Sequence, residues 1–153
     1  LEYLKTVEVS VNKVISGEMQ NEISRVSAIV ENEIANGNTV LVYTSRNLVK
    51  VSQKISEENL EVSVKVSSAL VDIVKSLNTA PSFIIAKGGI TSSDIGTKGL
   101  GVKRALVAGQ IKSGIPVWIT DENSKFPEIP YIIFPGNVGN NQTLKEIIAE
   151  LTT

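Results

Sequence analysis

One stretch of the chain places residues that could hold a phosphate directly after an apolar run. The run ends at Ala86 and is followed by Lys87, by the pair Gly88–Gly89, and then by Ile90-Thr91-Ser92. Glycine can adopt a positive φ and lets a ligand approach the backbone. The first turn of a helix offers free N–H groups and partial positive charge. The stretch therefore predicts a buried strand, a sharp turn and a helix start that together could cradle a phosphate.

The glycine pair does not match the two best-known phosphate motifs. Neither Gly-x-x-x-x-Gly-Lys-[Ser/Thr] nor Gly-x-Gly-x-x-Gly is present, and an ordinary strand–turn–helix corner would show the same pattern. Lys87 could neutralise a phosphate or be a solvated lysine at a strand end. Asp94 could hold Mg²⁺ beside a nucleotide, but a Thr-x-x-Asp cap with Thr91 explains it better, so we assign it no metal.

Three further segments follow predicted strands. They are Thr44-Ser45-Arg46 after strand 39–43, Gly109-Gln110 after strand 105–108, and Pro135-Gly136-Asn137-Val138-Gly139 after strand 131–134. Ligands of α/β sheets bind at the carboxyl ends of the strands, so we expect these segments to line one cleft with residues 87–92. Simple turn chemistry, or for Gln110 a hydrogen bond to a neighbouring loop, is the alternative. Trp118 fits a core residue better than an adenine platform.

Hydrophobic periodicity predicts the elements that position these segments. Residues 6–11 alternate as a half-buried strand, residues 18–36 show a helical face that ends at Gly37, and residues 56–78 fit a second helix. Strands at 82–86 and 116–120, a short helix from Ser92 towards Leu100, and a final helix capped by Asn141 complete the pattern. Because strands alternate with helices, we expect an α/β fold with a largely parallel or mixed sheet and helices on both faces, a Rossmann-like three-layer domain.

Composition narrows the classes of function. The 153 residues are 42% hydrophobic with net charge −1, and no basic stripe is interleaved with aromatic residues, so nucleic-acid binding is disfavoured. The absence of Cys and His excludes disulfides, Ser-His-Asp catalysis and most zinc sites. No signal peptide and no apolar run of roughly 18 residues is seen, so we expect a cytoplasmic protein. The chain begins at Leu1 and its only methionine is Met19, so we expect a fragment of a longer protein.

Three segments, taken together in their order and spacing, are similar to those of a known protein family. They are Gly88-Gly89-Ile90-Thr91-Ser92, then Val107-Ala108-Gly109-Gln110-Ile111 with Gly114-Ile115-Pro116-Val117-Trp118, and then Phe134-Pro135-Gly136-Asn137-Val138-Gly139. From about Val9 to Leu151 the chain resembles the C-terminal nucleotide-binding domain of the four-carbon acid sugar kinases. The resemblance implies nucleotide contacts at Gly88, Gly89, Ile90 and Thr91 and at Gly136. The same segments make Ser92, Gly109, Gln110 and Asn137 candidate binding residues.

The resemblance also implies an activity, and it implies that two domains have separate roles in it. Family members join an N-terminal domain, which binds the acid sugar and supplies a catalytic carboxylate, to a C-terminal domain that binds ATP. It implies ATP- and Mg²⁺-dependent phosphorylation of a threonate- or erythronate-like acid. The family's Gly-Ser-x-Ser motif and sugar domain are not found here, so residues 1–153 are expected to form one nucleotide-binding domain that is inactive alone. The rival is a non-catalytic module that binds a nucleotide or another anionic metabolite; a nicotinamide-binding domain is disfavoured.

Overall fold

The computed structural model describes residues 3–46 and 57–153, which fall into two compact units, Leu1–Ala80 and Pro81–Thr153. Each unit contains a β-sheet with helices, so the predicted α/β class is confirmed. Within the described ranges, no helix combines the length and the apolar character needed to cross a membrane.

The first unit is built on two parallel strands, β1 (Leu4–Val9) and β2 (Thr39–Thr44), whose carboxyl ends lie side by side. The helices are α1 (Val11–Ile15), α2 (Met19–Ala35) and α3 (Glu57–Ser76). The predicted apolar face of α2 is confirmed, since Ile23, Val26 and Val30 are all buried. Gly37 ends that helix with φ +78°, a conformation that favours glycine.

Helix α1 is the element that the alternating pattern of residues 6–11 concealed. The strand begins earlier and stops at Val9, because Ser10 caps a short helix by accepting a hydrogen bond from the Lys13 amide at 3.4 Å. The prediction that the strand continues to Val11 is therefore wrong.

The second unit has a mixed four-stranded sheet. Its elements are β3 (Ile84–Lys87), α4 (Gly89–Asp94), a π-helical turn (Ile95–Gly99), β4 (Ala105–Lys112), β5 (Ile115–Thr120), β6 (Pro130–Phe134) and α5 (Thr143–Leu151). The strand order is β3-β6-β5-β4, with β3 and β6 parallel and the other two pairs antiparallel. The core of this unit is formed by Ile115, Ile132, Phe134 and Ile147.

The start of α5 differs from the prediction. The helix begins at Thr143, and the preceding turn is closed by Asn140, whose side-chain oxygen accepts from the Gln142 amide at 2.8 Å. The Asn140 amide in turn donates to Thr143 Oγ1 at 2.8 Å. Capping by Asn141 is therefore wrong, since Gln142 occupies the cap position of α5 and makes no side-chain cap bond.

Candidate functional site

Two glycine-containing turns meet at one edge of the four-stranded sheet. Strands β3 and β6 are parallel and paired up to Lys87 and Phe134, so their carboxyl ends coincide. The Gly88 amide donates to the Phe134 carbonyl at 2.8 Å and joins the two turns directly. The structure thus brings the segments beginning at Gly88 and Pro135 together at the edge where ligands of parallel strands bind.

The first turn presents bare backbone. Gly88 has φ +103°, which a side chain would strain, and helix α4 starts immediately after it at Gly89, earlier than the predicted Ser92. No side chain caps this helix start, and first-turn amides have no acceptor within their own helix. A Cβ built at Gly89 meets no atom within 4 Å, and Ile90 is 74% exposed. A ligand could therefore approach this backbone closely.

Ser92 faces the opposite way from these open positions. The residue is buried, and its hydroxyl donates to the Gly88 carbonyl at 2.7 Å. Its amide donates to the same carbonyl at 2.9 Å. Ser92 therefore fixes the shape of the turn from its buried side. Its neighbour Thr91 is only half-buried.

The two charged neighbours of the turn have identifiable contacts. Lys87 is exposed, and its ammonium lies 5.0 Å from the centre of the Phe134 ring, a cation–π contact at the end of the two strands. Asp94 pairs with Lys98 at 2.9 Å across one helical turn. The predicted Thr-x-x-Asp cap is wrong, because Gly88 occupies the cap position and Thr91 already lies inside the helix.

The second turn, residues 135–139, is exposed at its tip and sterically constrained at its end. Gly136 and Asn137 are exposed, and a Cβ built at Gly136 meets no atom within 4 Å. Gly139 has φ +82°, and a Cβ there would lie 2.7 Å from Thr143 Oγ1. The turn therefore returns tightly into α5 while its tip stays accessible.

The segment around Gln110 does not form a strand-end loop, so that prediction is wrong. Strand β4 continues through Lys112 into a hairpin, because Gly109, with φ +136°, sits at a bulge that lets pairing with β5 resume. The Gln110 side chain accepts from the Gly114 amide at 2.7 Å and closes that hairpin. Strand β4 lies two strands from β6, about 10 Å away. Because β4 and β6 both run antiparallel to β5, the tip of this hairpin lies at the same edge as the glycine turns, and a Cβ built at Gly114 would lie 3.5 Å from Cγ1 of Val138.

Thr44, Ser45 and Arg46 belong to the first unit, at the carboxyl end of β2. There the Ser45 amide donates to the Val9 carbonyl at 2.9 Å, and its hydroxyl accepts from the Val11 amide at 2.9 Å. Ser45 therefore secures the end of β1 within its own unit. The expectation that this segment shares a cleft with the turns of the second unit stays a prediction.

Sequence reasoning missed one polar side chain beneath the first turn. Tyr131 is fully buried on β6, and its hydroxyl donates to the Ser92 carbonyl at 2.6 Å. A tyrosine in the apolar run Pro130–Phe134 was the available signal, because a buried phenol requires a hydrogen-bond partner. Glu22, on the apolar side of α2, was a similar signal in the first unit.

A metal would need ligands beyond the acidic side chains of the described ranges. Among residues 3–46 and 57–153, no three Asp or Glu side chains come together in an arrangement that could hold a metal ion.

The family model described as the nucleotide-binding C-terminal domain matches residues 1–144. No curated protein sequence matches the chain.

Three solved structures share the fold. A Salmonella typhimurium LT2 protein proposed to be a tRNA synthase is 17% identical over 97% of this chain, with a TM-score of 0.74. A Haemophilus influenzae DUF1537 protein is 18% identical over 96%, with a TM-score of 0.70. A Bordetella bronchiseptica DUF1537 protein, a domain-swapped dimer with bound citrate, is 13% identical over 97%, with a TM-score of 0.64.

The chain spans 35%, 34% and 34% of these three proteins, about a third of their length. At such identities the likeness establishes a shared fold. The family match covers most of the chain, and it agrees with the resemblance carried by the glycine segments. The chain therefore belongs to the family of nucleotide-binding C-terminal domains.

Proposed function

We propose that this chain is the ATP-binding part of a kinase that phosphorylates a four-carbon acid sugar of the threonate or erythronate type. The observation that carries the proposal is the junction of two open glycine turns, where the Gly88 amide bonds the Phe134 carbonyl at 2.8 Å. Gly89 and Gly136 have no atom within 4 Å of a built Cβ, so both turns offer backbone to one ligand. The family of nucleotide-binding C-terminal domains supports a nucleotide as that ligand.

The residues at the junction suit a polyphosphate. First-turn amides of α4, from Gly89 onward, can donate to phosphate oxygens without competition from a capping side chain. Lys87 adds a positive charge at the same strand end. Phosphoryl transfer depends mainly on positioning and charge stabilisation, so a backbone cradle with few side chains is sufficient on the nucleotide side. We expect Mg²⁺ to bind through the phosphates.

Gly88, Gly89, Ile90, Thr91, Gly136 and Asn137 are the binding residues that we propose. Ser92 would contribute by shaping the turn, because its hydroxyl is committed to the Gly88 carbonyl. Gly109 and Gln110 are the weaker candidates, since Gln110 already closes its hairpin. The base that accepts the proton of the sugar hydroxyl would belong to a second domain of a longer, cytoplasmic protein.

A binding module without transfer chemistry is the second candidate. The bound citrate of the Bordetella bronchiseptica relative favours it, because citrate is an anionic metabolite rather than a nucleotide. Such a module would use the same backbone donors, so ligand preference separates the two functions.

The test is calorimetric titration of the chain with ATP, ADP, NAD and citrate, each with and without Mg²⁺. The variant Gly89→Val should weaken ATP binding at least tenfold, because a branched side chain would occupy the open backbone face that the phosphates need. Its urea midpoint should change little more than that of Ser93→Val, a matched control that adds the same side chain at an exposed position of α4.

Each outcome of the titration has a clear meaning. ATP and ADP binding that Gly89→Val abolishes in a folded protein supports the proposal. Citrate binding without nucleotide binding would favour the metabolite module. Unchanged ATP affinity in folded Gly89→Val would refute a role for the Gly88 turn.

A further inference from the structure

Tyr131 interrupts the hydrogen-bond ladder of the helix that follows the Gly88 turn. Its hydroxyl donates to the Ser92 carbonyl at 2.6 Å, and the Gly96 backbone lies close to the phenol, since a Cβ built there would be 3.5 Å from the hydroxyl oxygen. In a regular α-helix the Gly96 amide would bond the Ser92 carbonyl directly. Insertion of the Tyr131 hydroxyl at the Ser92 carbonyl coincides with the end of α4 at Asp94 and the start of a π-helical turn, Ile95–Gly99.

Gly96 makes this insertion sterically feasible. A Cβ built at Gly96 would lie 3.2 Å from Cε1 of Tyr131 and 3.5 Å from its hydroxyl oxygen. The phenol is fully buried, and that burial raises the pKa of Tyr131 far above its usual range. It therefore remains a protonated donor throughout the ordinary range of pH.

The bond to Ser92 is one end of a short chain that reaches the glycine turn. The Ser92 amide and hydroxyl both donate to the Gly88 carbonyl, at 2.9 and 2.7 Å. The Gly88 amide is bonded from the other side by the Phe134 carbonyl. Because Tyr131 and Phe134 both belong to β6, one strand fixes the Gly88 peptide through two separate routes.

We infer that Tyr131 is a positioning residue for nucleotide binding. It holds the Gly88–Gly89 turn in the position from which the backbone amides of the turn can donate to a phosphate. The inference rests on the proposed function for its ligand, and it adds a residue that does not itself touch the ligand. Without the hydroxyl, the Ser92 carbonyl and Gly96 amide would re-form a regular turn and shift the helix start relative to β6.

The experiment compares Tyr131→Phe with Thr120→Val in the 153-residue chain. Thr120 is a matched control: its buried hydroxyl donates to the Phe126 carbonyl at 2.7 Å and accepts from the Ile129 amide at 3.0 Å. Like the Tyr131 hydroxyl, it donates to a backbone carbonyl, but it lies at the carboxyl end of β5, which antiparallel pairing puts at the other end of the sheet from the glycine turns. Both variants should lose similar stability in urea.

The two variants should differ in ligand affinity. We expect Tyr131→Phe to weaken ATP binding about tenfold and Thr120→Val to change it less than twofold. Amide hydrogen exchange should accelerate about tenfold at Gly88 and Gly96 in Tyr131→Phe alone. Equal ATP affinity in folded Tyr131→Phe and wild type, or unchanged exchange at these amides, would overturn the inference.

A second variant covers the case in which Tyr131→Phe does not fold. Gly96→Ala keeps the hydroxyl but pushes a methyl group against the ring, so it should also weaken ATP binding and expose the Gly88 amide to exchange. If the wild-type chain binds no nucleotide, the proposed function fails, and the exchange rates alone decide whether Tyr131 positions the turn.

Discussion

Glu22 is a buried carboxylate that ties three elements of the first unit together. It is 2% exposed and accepts from the Ser10 amide at 2.8 Å and from Nη2 and Nε of Arg25 at 2.7 and 3.0 Å. Arg25 also donates to the Glu8 carbonyl, so the pair joins the end of β1 to α1 and α2. A buried charge with this many donors is stabilising only while it stays ionised.

The pKa of Glu22 gives a pH-dependent prediction. The Arg25 hydrogen bond, opposed by burial and aided by the Ser10 amide, lowers the pKa of Glu22 from 4.5 to about 2. A depressed carboxylate pKa contributes stability that is complete above pH 4.5 and is lost as the pH falls towards 2. Glu22→Gln should therefore cost about 2 kcal/mol at pH 7 and much less at pH 2.

Urea unfolding of wild type and Glu22→Gln at several pH values measures this difference. Glu18→Gln, an exposed change just before the same helix, is the control and should show no such convergence. A difference in unfolding free energy between wild type and Glu22→Gln that stays constant from pH 7 to pH 2 would contradict this prediction. It would show that Arg25 and the Ser10 amide do not stabilise the ionised form of Glu22.

At the scale of elements, the turn between β6 and α5 is held by a close fit that only glycine permits. A Cβ at Gly139 would lie 2.7 Å from Thr143 Oγ1, and the residue has φ +82°. Gly101, in the same unit, has φ +69° but no atom within 4 Å of a built Cβ. The two glycines therefore share the backbone strain and differ in the steric contact.

This contrast predicts unequal costs of the same substitution. Gly101→Ala should destabilise the protein by about 1 kcal/mol through strain alone. Gly139→Ala should cost about 2 kcal/mol more, because the Thr143 hydroxyl must move and give up its bond to the Asn140 amide. Thermal unfolding of both variants gives the comparison, and equal losses would mean that the turn rearranges freely around an added methyl group.

The elements show where sequence patterns suffice and where they do not. Helix α2 and the strands carrying Ile132 and Ile115 follow from periodicity, because burial of apolar side chains decides them. The start of α4, the π-helical turn and the continuation of β4 past Gly109 depend on particular contacts. The Tyr131 hydroxyl and the pairing of β4 with β5 join residues far apart in sequence, and local pattern does not report such contacts.

At the scale of the molecule, the strand-end rule located part of the candidate site from sequence. It joined Gly88 and Gly136 correctly, because β3 and β6 are parallel neighbours. It placed Gln110 in a loop, whereas β4 continues to Lys112 and the Gln110 side chain closes the hairpin with β5. Strand direction is set by connections and pairing across the whole sheet, which residue spacing alone does not specify.

Phosphoryl transfer by the 153-residue chain alone would need more than a phosphate-binding turn. A phosphate cradle lowers the barrier to transfer only if an acceptor hydroxyl is held in line with the phosphoryl group and its proton has a base. The nearest carboxylate in sequence to the Gly88 turn, Asp94, is paired with Lys98 at 2.9 Å. The chain also spans only about a third of the length of its solved relatives. Under the proposed function, the acceptor site would belong to a further domain.

We therefore expect no phosphorylated product when the 153-residue chain is incubated with ATP, Mg²⁺ and threonate or erythronate. Slow hydrolysis of ATP is compatible with this expectation, because water needs no dedicated binding site. The comparison is a longer protein that joins this chain to an acid-sugar domain, assayed by mass spectrometry of the product. Gly89→Val in that longer protein should abolish turnover, which ties the activity to the glycine turn. Turnover by the 153-residue chain equal to that of the longer protein would place the acceptor site within these residues and contradict the proposed division of labour.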